Sequence, residues 1–302
     1  MSVVNNLLKT TLPLTPKFVV RFFAKRYVAG DTLEEAVATV QRLVREGCCA
    51  TVDVLGEAVT NPELAAQAVA AYREVLATIV AQNLDANISV KPTQMGLKIS
   101  EELALANLRE VVAEAARHGT FVRIDMEDAT TTDATLRMYR SLRKELANVG
   151  VVLQARLRRT LEDAVALARE GTNVRLCKGI YLEPRAIAYE EPEIIRWAFV
   201  HALEALFAGK GYVAVATHDE WLIEQTLALA ARMGVPKERF EFQMLLGVDP
   251  ALRRIIVKSG HKLRVYVPFG SHWYPYSVRR LRENPHIIRA GLEAFLRRRL
   301  ES

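Results

Sequence analysis

Short runs rich in β-branched residues recur along the chain, and segments with apolar residues three and four positions apart lie between them. The runs are 49–56 (CATVDVLG), 87–93 (NISVKPT), 121–127 (FVRIDME), 149–155 (VGVVLQA), 174–179 (VRLCKG), 213–218 (VAVATH), 240–245 (FEFQML) and 263–269 (LRVYVPF). Each predicts a strand. Segments such as 62–81, 101–118 and 161–170 predict helices between them, and 31–46 predicts a helix ahead of the first strand, capped through Asp31 and Thr32. Eight alternating units imply a parallel sheet, and eight is the number that closes a barrel; an open doubly wound sheet is the alternative. No linker or low-complexity stretch divides the chain. The expectation is one α/β domain over 1–302, with an N-terminal helical segment at 1–47 and a (βα)8 barrel at 48–302.

Composition changes this picture little. Half of the residues are hydrophobic and 25% charged, as in ordinary soluble domains. Three cysteines, two of them adjacent, form no disulfide framework and point to a reducing, cytosolic compartment. No apolar run reads as long enough to span a bilayer. A net charge of +6 leaves nucleic acid, anionic membranes and anionic ligands open as partners.

Charge along the chain is more informative. No acid precedes Asp31, while Lys9, Lys17, Arg21, Lys25 and Arg26 lie among Phe18, Val19, Phe22 and Phe23. That pattern suits a transit peptide, an interfacial helix or a plain packing helix. Arg297, Arg298 and Arg299 read as a solvated helix face.

The predicted strands end in polar residues, where a parallel barrel places its chemistry. These are Glu57, Lys91, Asp125 with Glu127 and Asp128, Gln154, Arg175 with Lys178, Thr217 with His218 and Asp219, Gln243, and Tyr266. Mutual salt bridges are one explanation of such a ring, and a ligand is the other. Nucleophile-elbow and paired-histidine metal motifs are lacking. Gly209-Lys210-Gly211 lacks the third glycine of a dinucleotide fingerprint and precedes its strand, so a Rossmann NAD site is not expected. Adjacent Arg279 and Arg280, after an aromatic stretch at 273–276, suit either an intrahelical pair with Glu283 or a clamp on a small carboxylate.

Taken together, these residues resemble the proline dehydrogenase family. The likeness rests on Lys91 in SVK, Asp125 in RIDMED, Gln154 in VLQA, RLCKGIY from Arg175 to Tyr181, Thr217-His218, Leu245 in EFQMLLG, Tyr266 in RVYVPFG, and Arg279-Arg280 with Glu283. The compact loop at 270–276 is similar to that of the short monofunctional bacterial enzymes. The resemblance implies a distorted (βα)8 barrel with the last helix over its mouth, and FAD across the strand ends. It implies that Arg175 faces flavin N5 and Gln154 the flavin edge. Asp125, Lys178, Gly179, Ile180, Thr217, His218 and Glu283 complete the cofactor site. Lys91, Arg279 and Arg280 bind the L-proline carboxylate, and Tyr181, Leu245 and Tyr266 shape the pocket. Glu57 pairs with Arg279 as a gate.

The implied partners are a membrane quinone as electron acceptor, reached through peripheral contact with the inner face of the plasma membrane, and a separate pyrroline-5-carboxylate dehydrogenase. Nucleic acid is not an implied partner. Leu182, Ile180 and Asp219 depart from common family residues at the adenine side. Two other readings stay in play: a metal-dependent barrel lyase or hydrolase built on Asp125, Glu127, Asp128 and His218, and a basic nucleic-acid-binding module.

Overall fold

A computed structural model describes residues 20–21, 24, 26–56 and 58–283, with side chains as far as 278. Glu57, most of the basic N-terminal segment, the side chains of Arg279, Arg280 and Glu283, and the arginines at 297–299 lie outside that description.

Eight parallel strands close into a barrel in chain order: β1 (Cys49–Val54), β2 (Ala86–Val90), β3 (Val122–Ile124), β4 (Val149–Gln154), β5 (Val174–Cys177), β6 (Val213–Ala216), β7 (Phe240–Leu245) and β8 (Leu263–Phe269). The open-sheet alternative is thereby excluded. Helix α1 (Leu33–Arg45) precedes β1. The crossovers are α2 (Pro62–Ala81), α3 (Glu101–Arg117), α4 (Thr132–Arg143), α5 (Thr160–Arg169), α6 (Pro192–Ala208), α7 (Glu220–Met233) and α8 (Pro250–Lys258), and α9 (Trp273–Glu283) follows β8. The helix starts follow local chemistry. Thr32 and Glu35 form a capping box on α1, while Asn61 caps α2 ahead of Pro62.

The eighth crossover position is filled from the wrong end of the chain. Helix α1 packs across the outer faces of β8 and β1, where a helix following β8 would ordinarily lie. The start of helix α9 instead sits at the carboxyl end of the barrel, because its Tyr276 is buried with Leu55, Tyr27 and Val28, against Val248 and Trp273. Leu55 follows β1 and Val248 follows β7, so this small cluster fixes the start of α9 at the mouth.

Helix α2 corrects one sequence expectation. Its 20 residues include an 18-residue window with a mean hydropathy of 1.3, long and apolar enough to cross a membrane. It is nevertheless a barrel crossover, buried through Ala68, Val69, Tyr72, Val75, Leu76 and Ile79.

Alternation along the strands separates two environments. Outward residues such as Val52, Ile88, Ile124, Val151, Leu176, Val215, Phe242 and Val265 join the core between sheet and helices. The inside of the barrel is polar instead. Arg123, Glu241 and Arg264 lie near its floor, at 2%, 3% and 7% exposure. Gly150 makes room for one of them, since a Cβ there would come within 2.6 Å of Arg123 Nη1. Such an interior is stable only if every charge has a partner.

Six of the eight predicted strands ran too far at their carboxyl ends, while 240–245 and 263–269 match β7 and β8. Lys91, Asp125, Lys178, Gly179 and His218 all lie just beyond the last ladder residue of their strands.

Candidate active site

At the carboxyl end of the barrel, strands β1, β2, β3, β5, β7 and β8 deliver their polar residues into one network. Lys91 Nζ donates to Asp53 Oδ1 at 2.6 Å and lies 3.5 Å from Tyr266 Oη. The Tyr266 hydroxyl donates to Asp125 Oδ2 at 2.9 Å. Asp125 Oδ1 accepts from Ser89 Oγ at 2.6 Å and from Arg175 Nη1 at 2.7 Å. Arg175 Nε donates to Gln243 Oε1 at 2.6 Å, and its guanidinium stands 5.4 Å from the centre of the Tyr266 ring.

Charge states follow from these contacts. Burial alone would discharge Lys91, but Asp53 and Asp125 outweigh it and hold the ammonium above the ordinary lysine value. Burial raises the Asp53 carboxyl in spite of Lys91. Burial, reinforced by Asp125 and Asp53, pushes Tyr266 well above the ordinary phenol range, so it stays a neutral donor. The result is a partly open pocket floor carrying an ammonium, a guanidinium and an aromatic hydroxyl, all aimed by buried carboxylates.

A second group lies along β4, β5 and β6. Gln154 Nε2 donates to the Glu127 carbonyl at 2.7 Å, and Glu127 is itself tied to the backbone and hydroxyl of Thr93. Gly179 has φ of +94°, and a Cβ there would lie 2.9 Å from the Gln154 side chain. The positive φ and the close approach of Gln154 and Arg156 both require glycine at this position. Lys178 pairs with Asp219, which also takes Arg196 Nε at 2.7 Å. Thr217 Oγ1 accepts from the Asp219 amide, and His218 Nε2 accepts from the Leu245 amide at 3.1 Å. His218 is therefore a neutral imidazole with its proton on Nδ1.

The structure brings Lys91, Asp125, Arg175 and Tyr266 into one cluster, with Gln154, Lys178, Gly179, Thr217 and His218 at the ends of the neighbouring strands. Ile180 and Tyr181, after β5, and Leu245, at the end of β7, are partly exposed. Leu182 is 93% exposed. The sequence reading missed Asp53, Ser89 and Tyr72. Tyr72, on α2, donates to the Ser89 carbonyl at 2.8 Å and lies 3.3 Å from Asp53 Oδ1. The one signal for Asp53 is a lone carboxylate inside the apolar run CATVDVLG.

A family model described as proline dehydrogenase matches residues 36–288. This chain belongs to the proline dehydrogenase family. Proline dehydrogenase 1 of Bacillus subtilis (strain 168) is 38% identical over 290 residues, covering 96% of this chain and 96% of that protein. Proline dehydrogenase of Deinococcus radiodurans is 34% identical over 267 residues, covering 87% of this chain and 86% of the relative. Among solved structures, proline utilization A from Bdellovibrio bacteriovorus, inactivated by N-propargylglycine, superposes with a TM-score of 0.81 at 26% identity. That likeness covers 87% of this chain and 33% of the larger protein. Proline utilization A from Corynebacterium freiburgense, at 20% identity and a TM-score of 0.76, shares the fold.

Within a proline dehydrogenase barrel the metal-lyase reading loses its ligands. Asp125 serves Arg175 and Tyr266, Glu127 serves Thr93, and Asp128 accepts from the Thr130 amide as the cap of a short turn. Among the described residues, no three His, Cys, Asp or Glu side chains converge. The nucleic-acid module gains no support from a family of this kind.

The residues present also suit a flavin dinucleotide. Lys178, whose side chain is 39% exposed, offers a diphosphate partner, and the buried Arg175 cation, its Nη2 without a hydrogen bond among the described residues, offers an electrophilic neighbour for an electron-accepting ring.

Proposed function

We propose that this chain oxidises L-proline to 1-pyrroline-5-carboxylate with FAD as its cofactor, and that the electrons pass on to a membrane quinone. The observation that carries the reading is the single network joining Lys91, Asp53, Tyr266, Asp125 and Arg175 at the barrel mouth. Bound FAD supplies the hydride acceptor.

The protein's own task is then to position and polarise. Lys91, with Arg279 and Arg280 from α9, grips the substrate carboxylate. Tyr266, Tyr181 and Leu245 enclose the pyrrolidine ring and turn its C–H bond toward the cofactor. Arg175 lies beside the cofactor ring, where a cation favours the electron-rich reduced form. Asp125 holds Arg175 and Tyr266 at fixed positions. Gln154, Lys178, Gly179, Ile180, Thr217, His218 and Glu283 hold the remainder of FAD. The substrate amine loses its proton to water, so no side chain acts as nucleophile or general base. Glu57 and Arg279 pair over the carboxylate as a gate.

A cytoplasmic chain meets its quinone through peripheral contact with the inner face of the plasma membrane, made by the basic N-terminal segment. The product leaves for a separate pyrroline-5-carboxylate dehydrogenase. Anaerobic titration of the purified protein with L-proline tests the reading. Bleaching of a flavin spectrum, with reoxidation by a soluble quinone and no reduction of NAD, is expected. A protein that stays colourless and inactive with added FAD would overturn it.

A further inference from the structure

Arg175 is aimed from below as well as from the side. It rises on β5, yet its Nε partner, Gln243, is on β7, two strands away. The guanidinium crosses the inner face of β6, whose inward residues are Ala214 and Ala216. The ladder sets Arg175 beside Ala214, and Ala216 beside Gln243. Side chains larger than alanine at these two places would close that path.

Gln243 is not free to turn. Its Nε2 donates to Glu241 Oε1 at 2.6 Å, two residues earlier on the same face of β7. Glu241 is held in turn by Arg264 Nε at 2.8 Å and by the Tyr212 hydroxyl at 3.2 Å. Burial disfavours the Glu241 carboxylate, but Arg264 outweighs it and keeps the group below the usual carboxyl range. An ionised carboxylate only accepts hydrogen bonds. A flipped Gln243 amide would set oxygen against that carboxylate and NH2 against the guanidinium, two repulsive contacts in place of two short hydrogen bonds. Glu241 and Gln243 are 3% and 6% exposed, so solvent has little access to relieve either.

We propose that Gln243, locked in one amide orientation by Glu241, is the positioning residue that sets the plane of the Arg175 guanidinium without cancelling its charge. The proposal rests on the reading of Arg175 as the cation beside the flavin. With Nε fixed by Gln243 and Nη1 by Asp125 and Ser89, two edges of the guanidinium are pinned. Nη2 has no hydrogen bond among the described residues and is the edge left for a ligand. A glutamate at 243 would hold the same geometry, but it would neutralise on one side the positive charge that Asp125 already offsets on the other. A neutral amide aims the cation and leaves its field intact.

Two variants of the FAD-loaded full chain separate geometry from charge, with folding checked by thermal melting. Gln243→Met removes the Nε acceptor at nearly constant volume. Its kcat is expected to fall on the order of tenfold to a hundredfold, the cost of a slightly misplaced group, while the KM for proline changes much less. Its flavin midpoint potential moves to a more negative value. Gln243→Glu keeps an acceptor but places a second carboxyl against Glu241, and the two must share a proton. It is expected to retain FAD, to show a more negative potential, and to add a further titration to the pH profile of kcat. A parent protein that takes up no flavin would overturn both this proposal and the reading beneath it. A flavin-loaded, proline-reducible parent with either folded variant matching it in potential, kcat and pH profile would overturn this proposal alone.

Discussion

Asp53 offers the sharpest structural test, because it is fully buried and was not anticipated from the sequence. Its Oδ1 takes Lys91 Nζ at 2.6 Å, and its Oδ2 has no hydrogen-bond partner among the described residues. Asp53→Asn removes the charge and preserves the shape. Breaking a buried pair costs about 3–5 kcal/mol when the surviving charge is stranded. Lys91 is not fully stranded, since Asp125 lies 4.0 Å away and the Tyr266 hydroxyl 3.5 Å away. At the effective dielectric of such sites, a pair 4 Å apart retains up to about 4 kcal/mol of attraction before desolvation. The net loss should therefore be smaller, about 2–3 kcal/mol by these magnitudes. For a domain of this length that corresponds to roughly 3–5 °C in melting midpoint. The assay is a double-mutant cycle of Asp53→Asn and Lys91→Met, read by thermal and denaturant unfolding. If the two form a pair, the double variant is hardly less stable than Asp53→Asn, with a coupling of at least about 1.5 kcal/mol. Additivity within about 0.5 kcal/mol would refute the reasoning.

Further outcomes follow from single residues. Tyr266→Ser should narrow the preference for proline over hydroxyproline by opening space beside the ring; an unchanged ratio of kcat/KM values would remove Tyr266 from the pocket. Gly179→Ala combines a φ of +94° with a Cβ 2.9 Å from Gln154, so apoprotein titration should show FAD affinity reduced at least about tenfold, a cost of roughly 1–3 kcal/mol for such strain. For Glu241 the folded pKa lies below the ordinary 4.5, so its contribution is complete above that pH and is lost as pH falls through the lower folded value. The stability gap between the parent and Glu241→Gln should accordingly be constant near neutrality and narrow progressively below pH 4.5; a gap with no pH dependence below 4.5 would count against an ionised Glu241.

The barrel was legible in the chain because the strands carry β-branched runs and the crossovers helical spacing, as in 149–155 followed by 161–170. The mouth was legible because charged residues such as Lys91 and Asp125 stand directly after apolar strands, where only a shared site accommodates them. The support beneath the mouth was not. Asp53 and Glu241 look like isolated polar interruptions until the closed sheet brings one within 2.6 Å of Lys91 Nζ and the other within 2.8 Å of Arg264 Nε. The path of Arg175 across Ala214 and Ala216 depends on closure of the sheet, which no local window contains. Strand ends were overdrawn for a related reason. Asp125, Met126 and Glu127 continue the polar and apolar alternation of β3 after the ladder has stopped. The assigned roles of Glu57, Arg279, Arg280 and Glu283 rest on resemblance alone, and mutagenesis of those residues is their test.

One measurement bears on the central claim most directly: the visible spectrum of the purified chain under anaerobic conditions, before and after L-proline. The account predicts an oxidised flavin spectrum that bleaches on adding L-proline and returns on adding a quinone. A flavin-loaded protein whose spectrum is indifferent to L-proline would contradict it.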